Sequence, residues 1–340
     1  MSDARTPTAH AASHEVGGSD ELSLAQSQVT GLVSDLAGKL ANPSSVDADV
    51  HGLTVGRGAG SLDSNTAVGN GALGSNTTGS FNTAVGRDAL SSNDTGSSNT
   101  ATGRNALSSN TTGSDNTAMG RTALFDNTTG SENTAMGRTA LANNTTGSFN
   151  TAMGRSAMVG NTTGSFNTVM GRSALFNNDT GSDNTALGHR AGASNTTGSN
   201  NTMLGHDAEA SSATVSNTIT LGNSAITTLR CQVTSITSLS DRRDKTNIQP
   251  IGAGLSFVEQ LQPVKFDWNM RDGGKVNVPD MGFVAQDLLQ VMEDTGIDVP
   301  HLVSQDNPDK LEAAYGTLIP ILVQAIKELS AKVEALEERN

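Results

Sequence analysis

Ser240, Asp241 and Lys245 stand together in one short stretch, SLSDRRDKTNI, at residues 238–248. A serine hydroxyl is a poor nucleophile until a base takes its proton. A lysine amine is such a base only when neutral. Its ordinary pKa is near ~10.4, whereas a working base wants roughly 7 to 8. A shift of about three units corresponds to about 4 kcal/mol, which burial or a nearby cation has to supply. Arg242 and Arg243 are candidate cations. Ser–Lys pairs are a known variant of the triad logic. By spacing alone the stretch reads as a polar linker.

Other chemistries find less footing. The single cysteine, Cys231, excludes an intrachain disulfide framework and a cysteine-based zinc site. His10, His14, His51 and His301 show no metal-ligand spacing, so no metal is expected. The glycines follow a repeat rather than a phosphate-binding fingerprint, and no cofactor is implied. No paired carboxylates are placed for glycoside hydrolysis. A net charge of -13 disfavours binding of nucleic acid or anionic membranes. No stretch approaches the ~18 apolar residues of a membrane span. The opening MSDARTPTAHAASHEVGGSDE has no apolar core, so no signal peptide is expected.

The elements that must position Ser240 fall into five parts. Residues 1–19 are expected to be disordered. An amphipathic helix is expected over 20–42, with Leu22, Ala25, Val29, Leu32 and Leu36 at alternating steps of three and four. That stripe suits a coiled coil or a surface helix.

Repeats then run over 53–225. The string NTAVG starts at Asn65, and variants start at Asn82, Asn99, Asn116, Asn133, Asn150, Asn167, Asn184 and Asn201, every 17 residues. A unit of this length suits one coil of a β-solenoid. The expected coil has two short strands, TAMG and xAL, with Gly and Asn-Thr-Thr-Gly at the corners. Met119 and Leu124 are expected to point inward, and the corner asparagines to tolerate left-handed geometry. One coil cannot bury its apolar residues alone, whereas stacked coils can. Nine coils at roughly 4.8 Å give a rod of about 40 Å.

Residues 226–239 read as one or two strands leading to Ser240. Beyond it, a strand is expected at 263–268, a turn at 271–274, a helix over 285–294 and a long helix over 311–338, kinked or started near Pro320. Leu322, Ile326, Leu329, Val333 and Leu336 form its coiled-coil seam. Trp268 and Tyr315 are expected in the core.

The repeat resembles the left-handed β-roll heads of trimeric autotransporter adhesins, whose units of the type SVAIG correspond to NTAMG here. The chain shows no membrane-anchoring barrel of that family, so a trimeric rod is expected without autotransport. From residue 238 the sequence resembles the C-terminal intramolecular chaperone of phage endosialidases and other tail spikes and fibres, an autoprocessing peptidase family. The marks are SDxxxK at Ser240–Lys245, LQPVKFDW at 261–268, GFVAQDL at 282–288 and YGTLIPILVQAIKEL at 315–329.

The second resemblance implies a mainly β trimeric rod followed by a small α+β chaperone domain at 240–340 that ends in a coiled-coil helix. It implies that this domain drives trimerisation and is cut off between Leu239 and Ser240. Ser240 would be the nucleophile and Lys245 the general base. Asp241 belongs to the motif without an assigned role. The reaction is expected in cis and once per chain. The expected setting is a virion tail fibre assembled in the host cytoplasm and anchored to a baseplate through its N-terminus. The alternative is a surface adhesive protein that keeps its trimerisation domain. The residue after each NTAxG is Arg at 87, 104, 121, 138, 155 and 172, a ladder suited either to anionic host glycans or to a solvated face that blocks sideways pairing.

Overall fold

The computed structural model describes residues 48–50, 53–60, 62, 64–226, 228–230, 240–271 and 273–339. The expected disordered stretch 1–19, the helix 20–42, Cys231 and Leu239 lie outside them. Residues 226 and 228–230 form no strand.

One 12-stranded sheet runs in chain order. Strands β1 (Ala48–Val50) and β2 (Leu53–Gly56) form an antiparallel hairpin that pairs with β3 (Thr66–Val68). From β3 the pairing is parallel, through β6 (Thr117–Met119) to β12 (Ile219–Leu221). Thr117 faces Thr134 and Met119 faces Met136, so each coil sits on the next with a 17-residue offset. The sequence did not reveal the hairpin. It covers the first edge of the parallel stack, an edge that would otherwise offer unpaired backbone.

Each coil has one strand, not two. The xAL segment is a turn: Thr122 and Leu124 have φ of 55° and 50°. Leu124 N–H still donates to Ala140 O, one coil on, at 3.0 Å. The inward residues also differ from expectation. Ala118, Ala123 and Leu124 are fully buried, while Met119 faces outward at 43% exposure. Opposite walls of so short a coil approach closely, and its interior holds the methyl of an alanine across from one leucine. Glycine closes the corners. A Cβ on Gly120, at φ 141°, would stand 2.5 Å from Gly137 O. Leu73, Leu90, Leu107, Leu124, Leu141 and Leu175 then stack into a continuous core that one coil could not bury alone.

The corner asparagines are not left-handed but buried. Asn127 Nδ2 donates to Asn110 Oδ1 at 2.8 Å and to Gly130 O at 2.9 Å. Asn144 Nδ2 in turn donates to Asn127 Oδ1 at 2.7 Å. A second buried ladder uses the first residue of each unit: Asn133 N–H donates to Asn116 Oδ1 at 3.0 Å. The left-handed positions are instead the residue just before that asparagine, the residue after each arginine and the leucine slot, such as Asp115, Thr122 and Leu124. The corner ladder ends at Asn195, whose Oδ1 has no partner among the described residues, because Ser212 stands where the next asparagine would be.

The C-terminal segment holds α1 (Leu255–Val258), the hairpin β13 (Val264–Asn269) and β14 (Val276–Gly282), α2 (Ala285–Thr295), the short pair β15 (Val303–Ser304) and β16 (Glu312–Ala313), and α3 (Leu318–Glu337). Helix α2 stops at Gly296, a left-handed C-cap with φ 66°. Helix α3 begins at Leu318, seven residues later than expected, after β16 and a 3-10 turn at Tyr315–Thr317. Pro320 falls in its first turn, where a missing N–H costs nothing. A small core joins Phe257, Leu288, Val291, Leu302, Leu318 and Ile321.

Candidate active site

Asp241 builds the turn that carries the site. Its backbone is extended, and its Oδ1 accepts from Arg243 N–H at 2.8 Å, capping a 3-10 turn at Arg242–Asp244. The Arg243 guanidinium returns to the same carboxylate, with Nη2 2.6 Å from Oδ2. That guanidinium first, and the backbone N–H second, hold the Asp241 carboxyl below its ordinary range. Lys245 N–H closes the turn on Arg242 O at 3.2 Å. The chain is thereby folded back, and Lys245 Nζ donates to Ser240 Oγ at 2.6 Å.

The turn thus brings Ser240 and Lys245 into contact, with Asp241 supporting their geometry. Arg243 is committed to Asp241, which leaves only Arg242 of the two candidate cations outside that pair. As a general base the Lys245 amine would accept the proton of the Ser240 hydroxyl. Nothing covers the pair: Ser240 and Lys245 are exposed, and burial begins only at Ala253. Beyond Ala253, Glu328 of α3 accepts from Leu255 N–H at 2.8 Å and so ties the start of α1 to the long helix.

Several apolar surfaces of this segment face solvent. Trp268 and Tyr315 are not core residues. Trp268 is half-buried on β13 and donates from Nε1 to Asp280 at 2.9 Å, while Tyr315 is 44% exposed. Tyr315 Oη accepts from Phe283 N–H and donates to Phe283 O, each at 3.1 Å. No residue of β13 or β14 is buried. On α3 the face of Leu318, Ile321 and Ala325 is buried, but Leu322, Ile326, Leu329, Val333 and Leu336 are exposed.

On the solenoid, Arg87, Arg104, Arg121, Arg138, Arg155 and Arg172 are all exposed and in line. His189 and His206 continue the line with rings 5.1 Å apart. Among the described residues no group of His, Cys, Asp and Glu is arranged to hold a metal, and no helix is long and apolar enough to cross a membrane.

Fold and site together define a β-solenoid followed by a small helix-ended segment with a serine–lysine pair at its first residue. Residues 240–297 match the family described as the chaperone of endosialidase. The match covers that segment alone. The long tail fiber proteins Gp37 of Enterobacteria phage K3 and of Enterobacteria phage T2 are each 35% identical to it over 104 residues, 29% of this chain. That stretch spans only 8% and 7% of their lengths. No solved structure matches the chain.

Proposed function

We propose that this chain is a tail-fibre-like virion protein whose segment from Ser240 onward joins three copies, guides the solenoid to fold and then releases itself. The observation that carries the reading is the 2.6 Å contact of Lys245 Nζ with Ser240 Oγ at the first residue of the family match. In the proposed reaction Ser240 Oγ attacks the Leu239 carbonyl carbon. Lys245 takes the hydroxyl proton and passes it to the departing Ser240 nitrogen as the amide C–N bond breaks. The resulting ester is hydrolysed by water, leaving a carboxylate at Leu239 and a free amine at Ser240. Each chain does this once.

A neutral lysine needs desolvation, and the exposed segment 240–252 offers none within one chain. Assembly would supply it. The bare seam of α3 and the unburied β13–β14 hairpin are the surfaces for that assembly, since a two-stranded hairpin is marginal by itself. A helical bundle at one end sets three chains in register and raises the effective concentration of the rest. Its removal afterwards leaves a fibre guarded by its unfolding barrier. The similarity to tail fibre proteins supports a virion anchor on the N-terminal side and a receptor or glycan on the host surface as further partners.

The test is Ser240→Ala on the full chain. The parent yields a released fragment that begins at Ser240 by N-terminal sequencing; the variant stays whole yet still trimerises. Lys245→Ala slows release by about 10²-fold or more. An intact parent chain in a trimeric preparation refutes self-release and favours a fibre that keeps its domain.

A further inference from the structure

The outward face of the solenoid has a pattern that neither its core nor its turns require. In each coil, the residue before the first buried asparagine and the residue six places on stand one at each edge of the strand, and all are exposed except the half-buried His189. The far edge is the arginine line. The near edge consists mostly of rings and acids. Coil by coil the two read Phe81 with Arg87, Asp115 with Arg121, Glu132 with Arg138, Phe149 with Arg155, Phe166 with Arg172 and Asp183 with His189. Six of the nine near-edge residues are thus partners for a cation, by charge or by ring face. Ser64, Ser98 and Asn200 are not. Within one chain the two edges are separated by the strand and do not meet.

Three further observations bear on what covers this face. Between the edges runs an exposed apolar line that includes Val85, Met119, Met170, Leu187 and Leu204. Phe149 and Phe166 stack at 4.8 Å while 45% and 56% exposed. They and Phe81 hold φ near 60°, an outlier for a bulky side chain, at a site that asparagine fills without strain at Asn200. Among the described residues Arg121, Arg138 and Arg155 make no ion pair.

We infer that this face is buried against two further copies of the same chain, parallel and in register, with the arginine edge of each copy closing on the ring-and-acid edge of the next. The inference rests on the trimer reading above and specifies its contacts. Three such faces enclose a triangular prism whose corners are the edge pairs. Four to six residue steps across the face give a side of roughly 13–20 Å, which places each sheet about 4–6 Å from the axis. Packed sheets lie ~10 Å apart, so each contributes ~5 Å of side chain, and a methionine or leucine fills that depth. Ten strands at ~4.8 Å and a face up to ~20 Å wide present on the order of 800 Å² per copy, the scale of a stable specific interface. A head-to-tail contact that closes after three turns also uses both edges of every copy.

Cysteine pairs test this. In the full chain carrying Ser240→Ala and Cys231→Ser, Ser98→Cys with Arg104→Cys puts one thiol on each edge of one coil. They stand too far apart across the strand to bond within a chain, since a disulfide needs Cα atoms within about 7 Å. Mild oxidation is expected to give a covalent species of three chains on a non-reducing denaturing gel. The offset pair Ser98→Cys with Arg121→Cys is expected to give little. A trimer in sedimentation that does not cross-link at 98 and 104 overturns the edge pairing while the trimer reading stands, and leaves the arginine line open to an anionic polymer. Cross-linking only by the offset pair overturns the common register. A monomer in sedimentation overturns both readings. Charge exchange gives a second readout: Asp115→Arg or Arg121→Asp alone weakens association by about tenfold or more, because three equivalent pairs are lost at once, and the double exchange restores it.

Discussion

Replacing Asn127 with alanine in a chain kept whole by Ser240→Ala probes what the buried amide ladder contributes. The substitution removes three hydrogen bonds: from Asn127 Nδ2 to Asn110 Oδ1 at 2.8 Å, to Gly130 O at 2.9 Å, and from Asn144 Nδ2 at 2.7 Å. Each contributes about 1 kcal/mol net, and every buried group left without a partner adds about 1–3 kcal/mol. Asn144 keeps one of its two donors satisfied, through Gly147 O. Asn110 Oδ1 loses its donor as well, so the expected loss is about 5 kcal/mol or more per chain. Asn195 is the internal control. Its Nδ2 donates to Asn178 Oδ1 at 2.7 Å and to Gly198 O at 3.0 Å, but its Oδ1 already lacks a partner. Asn195→Ala should cost about 2 kcal/mol less, one accepted bond and one orphaned donor fewer. Urea unfolding followed by far-UV circular dichroism at matched chain concentration measures both. Equal losses, or a loss under about 1 kcal/mol at Asn127, would refute the idea that ladder continuity stabilises the rod.

Two other outcomes follow from the C-terminal seam and from one misplaced acid. Leu329→Glu puts a charge on the exposed side of α3 and away from its packed side, so the chain should keep its helicity but lose assembly in sedimentation; unchanged assembly would remove the seam from the interface. Glu209 occupies the position that leucine fills in most coils, and burial raises its carboxyl above 4.5 against the opposing bonds from Ser194 and Ala193 N–H. A folded-state value above the unfolded one means a contribution that is present below about pH 4.5 and disappears as pH rises through the folded value. Stability of the parent relative to Glu209→Gln should thus fall as pH rises above about 4.5, and parallel curves would contradict the assignment.

The repeat period, the stacking and the glycine corners were legible because each is a regularity that the sequence displays 17 residues apart. Which way side chains point was not. In a strand of three residues, T-A-M, alternation fits either face, and size favours methionine as the inward residue. The interior of the coil is too narrow for that, so alanine faces in. Leucines such as Leu124 looked like strand residues because nothing local shows that a leucine will take φ 50°. The asparagine ladders carried a signal that was misread: Asn76 through Asn195 recur unchanged while the next residue varies between Thr and Asp. At the candidate site, the motif pointed to Ser240 and Lys245, which spacing alone did not single out, and the two side chains lie in contact. The bond of Arg243 to Asp241 was not, since either arginine of the pair could have turned toward the lysine.

The 17-residue offset of the parallel sheet also governs how such a gene can change. Most internal coils offer the next the same backbone carbonyls, the same amide rungs and the same alanine and leucine floor, with Met158, Val169 and Gly192 among the departures. Duplication or loss of one whole unit among the regular coils therefore preserves the junction chemistry and lengthens or shortens the shaft by about 4.8 Å. A deletion of any other size would shear the rungs apart. Reach is thus adjustable in fixed increments, while both ends stay as they are.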